Sequence, residues 1–456
     1  MFKKIILFWS LILCFHVKTF ANAEILTEGE SFTEQIQYAA LDNTEAILSF
    51  QHFVEINSQV LPNQELVEKT IQAQINHLFG SMSAVSVRYR AVPKNNHEIT
   101  QVKLSKKSDG LFIVHYSYYG TILILDGPTS KYEIKLPNNP ATVYAASFVN
   151  GQNLCTDPHY PTENDFWYFW NPDQAGCPLK EGKDFTTIQA QLKRLPNTLR
   201  SYPEYERLED ENGNIKVSIF LGMDEPNLSP NPNNSVDVNA ETFRKIKKNL
   251  LKNNYINKIA TLQDLKNHIP LLSNLRNNNL PYVEYFSKKF EIKNETKTIL
   301  ISVFFGPTGI DERSTPFHHL FKEAMSNDSI LIYSGHSGLG GHLDLNSIEL
   351  IENFKMEPNK NKYQIYFFNS CSSYPYYNSL FFERKKTTSD PHGTKNLDVM
   401  VNGLATYFSV MYDTNLGLIN AVESWITEKE KTSYQQLVQK MDSGNLLGVI
   451  GDEDNP

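Results

Sequence analysis

Ser329-Ile330-Leu331-Ile332-Tyr333-Ser334-Gly335-His336-Ser337-Gly338 and Tyr363-Gln364-Ile365-Tyr366-Phe367-Phe368-Asn369-Ser370-Cys371-Ser372-Ser373 share one layout. Each is a short run of apolar, β-forming residues that stops at small residues and one reactive side chain. A strand apolar at nearly every position is covered on both faces, as in a parallel sheet packed between helices. In such sheets, ligands bind in the crevice beyond the carboxyl ends of the strands. If the two runs are neighbours, His336 and Cys371 project into the same crevice. They are 371 − 336 = 35 residues apart. That leaves room for one helical crossover, which a parallel pair requires.

The flanking sequence keeps this rhythm. Val217–Leu221, Ile299–Phe305 and Leu397–Val401 read as strands, and Thr242–Leu251, Pro316–Met325 and Ser347–Phe354 as helices. Strands alternating with helices predict an α/β fold with a mostly parallel sheet flanked by helices. Upstream the pattern differs. Residues Phe32 to Met82 are expected to be helical, from Ile47, Leu48, Phe50, Phe53 and Val54 and then Leu66, Ile71, Ile75 and Leu78. Leu111–Val114 and Thr121–Leu125 read as two strands, with turns at Tyr119-Gly120 and Asp126-Gly127-Pro128. The expected organisation is a signal peptide over residues 1–23, an N-terminal α+β domain over 24–205 and the α/β domain over 206–456. Asn231–Asn234 and Lys385–Lys395 read as surface loops.

Composition narrows the classes. Of 456 residues, 40 % are apolar and 21 % charged, the balance of a cored globular protein and not of a disordered one. A net charge of −8 argues against nucleic acid as a partner. The basic stretch Arg244–Lys252 is interleaved with Ile246, Leu250 and Leu251 and reads as a solvated helix face. Lys3 and Lys4, the apolar run Ile5–Val17 and the small-x-small Ala21-Asn22-Ala23 predict an export signal cut before Glu24. No later run reaches the roughly 18 apolar residues of a membrane helix, so a secreted or periplasmic protein without a further span is expected. Cys14 leaves with the signal. Cys155 and Cys177 share one aromatic, proline-containing segment and are expected to pair. Closing that loop stabilises the fold by about 3 kcal/mol in the chain-entropy model. Trp167 to Trp170 within it read as packing under the loop. Cys371 is then the odd thiol.

A thiol is intrinsically nucleophilic once a nearby base takes its proton. An imidazole does this and later protonates a leaving amine. Gly335, Ser337 and Gly338 let the backbone approach a substrate and offer N–H groups to an oxyanion. One such donor is worth about 3 kcal/mol in a transition state.

An apolar strand ending in His beside glycine, then one ending in a small residue and Cys, resembles the caspase, gingipain, legumain and separase group of cysteine peptidases. The resemblance covers residues 214–410, about half the chain. It implies a caspase-like sheet, His336 as general acid/base and Cys371 as nucleophile. It also implies an oxyanion hole from the Cys371 and Ser337 amides, with the Gly338 amide next in line. The implied substrate is a protein or peptide cleaved at a peptide bond, and no cofactor or metal is expected. Two positions depart from the group's pattern. Ser337 stands where Gly usually follows the His, and Ser370 where Ala is common. If position 337 needs φ > 0, serine is strained there. No Asp or Asn partner for His336 stands out.

Other readings start from the same residues. Gly335-His336-Ser337-Gly338-Leu339 approaches the G-x-S-x-G elbow of α/β-hydrolases, which would make Ser337 an esterase nucleophile with Asp390 and His392 as partners. Leu339 occupies the place of the last glycine. His336, His342, Asp344 and Cys371 match no familiar zinc spacing. His342 and Asp344 read as surface loop residues, and His318-His319 as a surface pair on a helix. A peptidase-like fold can also serve as an inactive binding scaffold.

Overall fold

The computed structural model describes residues 37–451, apart from 85–86, 159, 161, 199, 226, 267–280, 293–294, 407 and 443. The expected export signal lies outside the described residues, as do the start of the expected first helix and the acidic tail from residue 452. Eight strands come first: β1 Tyr38–Ala39, β2 Asn43–Asn57, β3 Ala91–Ser108, β4 Leu111–Leu125, β5 Lys131–Pro137, β6 Phe148–Val149, β7 Gln152–Asn153 and β8 Phe185–Arg194. Eight more follow: β9 Asn214–Gly222, β10 Ile256–Ile259, β11 Tyr282–Ile292, β12 Glu295–Gly306, β13 Ile330–Gly335, β14 Gln364–Ser370, β15 Leu397–Asn402 and β16 Leu447–Ile450.

These later eight strands and β1 build a nine-stranded sheet in the order β1-β16-β15-β14-β13-β9-β12-β11-β10. From β15 to β12 neighbouring strands run parallel. Both flanks are antiparallel. Every residue of β13, β14 and β15 is buried, because helices cover both faces. Ile330 and Ile332 pack into one core with Phe243 and Ile246 of the helix Val238–Lys252 and with Ile419 and Val422 of the helix Phe408–Glu428. Leu331 and Tyr333 point the other way, to Phe317 and Phe321 of the helix Thr315–Asn327 and to Ile348. The twofold alternation of a strand thus feeds two apolar layers. The α/β architecture matches the expectation from sequence, and no helix among the described residues is long and apolar enough to cross a membrane.

A second sheet, β3-β4-β2-β8-β5, is antiparallel throughout. Three local expectations are corrected in the structure. Residues 43–57 form β2, not a helix. Ala46, Leu48, Phe50, Val54 and Ile56 are buried at a spacing of two, while Ile47 and Phe53 lie half-exposed on the other face. Apolar residues on both faces of a strand imitate helical spacing. The expected helix is instead confined to Gln64–Asn76, capped by the Asn63 side chain, and the following turn Leu78–Ser83. β4 runs unbroken through Tyr119-Gly120, where the Tyr118 ring fills the space a side chain at Gly120 would need. Lys385 ends a helix instead of opening a surface loop, and its buried ammonium donates to the carbonyls of Asn359 and Lys362 at 2.8 Å each. Burial pulls its pKa down to about 7.

Candidate functional site

β13 and β14 are neighbours in parallel register, and Gly335 lies opposite Ser370. His336 and Cys371 are each the next residue, so both leave the carboxyl end of the sheet side by side. Neighbouring strands are about 4.8 Å apart. Beneath them a buried polar network ties the strand ends together. Ser334 Oγ donates to Asn415 Oδ1 at 2.8 Å, and Asn369 Nδ2 donates to the same oxygen at 2.9 Å and to Thr414 Oγ1 at 2.6 Å. Asn402 Nδ2 donates to Asn369 Oδ1 at 3.2 Å. Such a network holds strand ends in one arrangement because every broken bond strands a buried polar group.

β9 lies on the other side of β13 and supplies a residue that sequence reading missed. Asp224, two residues beyond β9, places Oδ1 2.8 Å from His336 Nε2. Nε2–H donates to this carboxylate, which leaves the neutral imidazole's lone pair on Nδ1. Asp224 is itself positioned. Its N–H donates to Asp237 Oδ2 at 2.8 Å, and Glu225 N–H reaches the same oxygen at 3.1 Å. Asp237 Oδ1 caps the helix Val238–Lys252 through Asn239 N–H at 2.8 Å and Ala240 N–H at 3.4 Å. An acidic residue just past an apolar strand is the same signal that marked His336 and Cys371, and applied to Val217–Leu221 it finds Asp224.

The loop after His336 turns through left-handed backbone at Gly338, Leu339 and Gly340, with φ of +56°, +53° and +90°. Ser337 opens that turn without itself being left-handed, so serine there carries no strain. Its carbonyl accepts from Tyr377 Oη at 2.8 Å, from Gly340 N–H at 3.0 Å and from His342 N–H at 3.1 Å. The glycine the turn requires is Gly338, where a Cβ would sit 2.4 Å from His342 Cδ2. Ser337→Gly is therefore expected to leave labelling of Cys371 by a peptide electrophile within about twofold. Gly338→Ala shifts the loop and is expected to lower it about 10²-fold. Equal effects of the two changes would contradict this assignment of the turn.

Cys371 is half-buried, and its Sγ lies 3.8 Å from the Thr406 carbonyl oxygen. Burial pushes the thiol above its ordinary range, partly offset by backbone hydrogen bonding at Thr406 and at its own amide. The resting side chain is thus a neutral thiol, and its thiolate fraction grows as pH rises. Alkylation by iodoacetamide is expected to climb about tenfold per pH unit across pH 7–9, and a plateau below pH 7 would show a resting thiolate instead. Ser372 follows with φ +47°, a conformation that costs a non-glycine residue roughly 1–2 kcal/mol. Its N–H donates to the Leu404 carbonyl at 3.0 Å. Among the described residues, the amides of Ser337, Gly338 and Cys371 donate to no other residue.

The remaining sequence candidates lie elsewhere or do other work. The His342 ring is 6.3 Å from the His336 ring and perpendicular to it, and burial lowers its pKa to about 4. Asp344 caps the helix Leu345–Glu352 through Asn346 N–H and Ser347 Oγ. Asp390 and His392 precede the amino end of β15, away from Ser337 at a carboxyl end, and Asp390 accepts from Gly393 and Lys395 N–H. His318 is not a surface residue. It is 0 % exposed, its Nδ1 2.7 Å from Glu352 Oε1 and its Nε2 3.1 Å from the Gly309 carbonyl. The aromatic run of the stapled loop divides, with Phe166, Tyr168 and Trp170 buried and Trp167 and Phe169 half-buried. Cys155 and Cys177 form the expected disulfide. A cavity of about 650 Å³ lies beside the helix Thr315–Asn327, lined by Ser218, Ser302 and Asp328, and does not reach His336 or Cys371.

No protein-family model matches the chain, and no curated protein matches it.

Proposed function

We propose that this chain is an exported cysteine endopeptidase of the caspase, gingipain and legumain kind, working through Cys371 and His336 on protein or peptide substrates. The observation that carries the reading is the placement of a thiol and a carboxylate-held imidazole at the carboxyl ends of two adjacent parallel strands. Asp224 fixes the ring through Nε2, and Nδ1 handles the proton. Cys371 Sγ attacks the scissile carbonyl carbon while its proton passes to His336. The oxyanion is received by the amides of Cys371 and of Ser337 or Gly338. His336 then protonates the leaving amine, and water hydrolyses the thioester. Export fits the signal-like residues 1–23 and the Cys155–Cys177 disulfide.

The raised thiol and its contact with Thr406 favour a second reading, an inactive scaffold that binds peptides. An electrophilic peptide probe separates the two. Covalent labelling that disappears in Cys371→Ala supports the peptidase. Iodoacetamide alkylation of Cys371 without labelling by any peptide probe leaves the scaffold.

A further inference from the structure

The disulfide-stapled loop belongs in sequence to the antiparallel half of the chain, yet it is bonded to the residue after the nucleophile. Tyr168 Oη donates to Ser372 Oγ at 2.8 Å. Tyr168 is buried and stacks on Phe79 at 4.6 Å, so the loop is fastened from below. Above it, Tyr160 stacks on Phe169 at 4.3 Å and 24°, with the Tyr168 ring 5.7 Å away. Tyr160 sits in a pinned turn beside Cys155. Its N–H donates to the Asp157 carbonyl at 2.9 Å, and its carbonyl accepts from Thr156 Oγ1 at 3.4 Å. Tyr160 and Phe169 are both half-buried, so the stacked pair is not sealed in the core. Burial, and after it the neighbouring Cys371, raises the Tyr160 hydroxyl, which places this ring in the electrostatic range of the thiol.

We infer that Tyr160 and Phe169 form the substrate-selecting wall of the Cys371 site, taking a bulky aromatic or aliphatic side chain next to the scissile bond. The inference rests on the peptidase reading and adds to it a substrate class. Stacked rings not sealed in the core take up apolar surface and reward flat or branched side chains over small ones. Asp157 accepts from the Tyr160 N–H through its carbonyl, and Asp157 and Asp165 both act electrostatically on the Tyr160 hydroxyl, so an acidic side chain is the poorest fit by like-charge repulsion. The wall comes from the part of the chain outside the 214–410 segment, so selectivity and chemistry are supplied by different halves. The disulfide then has a role at the site: it holds the loop whose Tyr168 reaches Ser372.

The test uses the full chain and electrophilic peptide probes that differ only in the side chain nearest the electrophile: Phe, Leu, Ala, Lys or Asp. Each rate is divided by the iodoacetamide rate of the same protein, which corrects for changes in the thiol itself. The Phe and Leu probes are expected to label at least about tenfold faster than the Ala and Asp probes. Tyr160→Ala and Phe169→Ala are expected to erase most of that difference. Tyr168→Phe, which keeps the ring and removes only the bond to Ser372, is expected to reduce it severalfold. A preference for Lys or Asp, or a preference unchanged by all three substitutions, overturns the inference and leaves the peptidase reading standing. Alkylation by iodoacetamide with no labelling by any probe overturns both.

Discussion

On the peptidase reading, Cys371→Ala is expected to abolish peptide hydrolysis and His336→Ala to lower kcat/KM by about 10²–10⁴-fold, the range a positioned general base contributes. The two losses differ in kind. Without Cys371 no covalent intermediate forms. Without His336 the thiol remains, but burial keeps it protonated, so the variant should recover part of its rate as pH rises. Asp224→Asn separates orientation from proton transfer. It keeps a group of similar shape 2.8 Å from Nε2 and removes the charge. It should cost less than His336→Ala, because the imidazole itself remains and only the group that orients it is weakened. An Asp224→Asn variant with unchanged rate would remove Asp224 from the site.

Asp237→Ala should be the most damaging change away from Cys371. The carboxylate is 2 % exposed and accepts four backbone N–H bonds, two from the helix Val238–Lys252 and two from the segment carrying Asp224. Alanine leaves those donors buried and unpaired, a loss of about 3–5 kcal/mol when one partner of a buried charged contact is removed. Asp237→Asn keeps one acceptor oxygen and should lose roughly half as much. Urea unfolding reads the difference, and the less damaged variant also reports on the site. If Asp237 positions Asp224, Asp237→Asn lowers kcat at temperatures where the protein is fully folded. A shift in stability below about 1 kcal/mol would show that water or another acceptor replaces the carboxylate.

The interior of the large sheet was readable because its strands are buried on both faces, and a short unbroken apolar run between turn residues suits such a strand better than a one-sided helix. The strand-end positions of His336 and Cys371 followed from the same runs. Asp224 was not readable as their partner, since its role depends on β9 inserting beside β13, and strand order is decided by packing between elements distant in sequence. The strain that φ > 0 would bring to Ser337 is absent because the left-handed turn begins at the next residue. Gly338 carries it, and the crowding by His342 that makes glycine obligatory exists only in three dimensions. β2 was misread because half-exposed Ile47 and Phe53 blurred a spacing of two. His318 and Lys385 were expected at the surface as polar types usually are. Each is buried because partners from other segments satisfy it.

β1 has a consequence for how the molecule is made. Tyr38 and Ala39 pair with Ile450 and Val449, so the outermost strand of the sheet is held by almost the last residues described. The pairing spans 449 − 39 = 410 residues. Contacts this distant form late, after the loop between them has already ordered. A chain emerging amino end first holds β1 unpaired until β16 appears. Until then β15 presents an open edge, the kind of surface that recruits strands from other chains. Closing that edge takes β16, so the arrival of this one short strand, more than formation of the central strands, protects the sheet from aggregation.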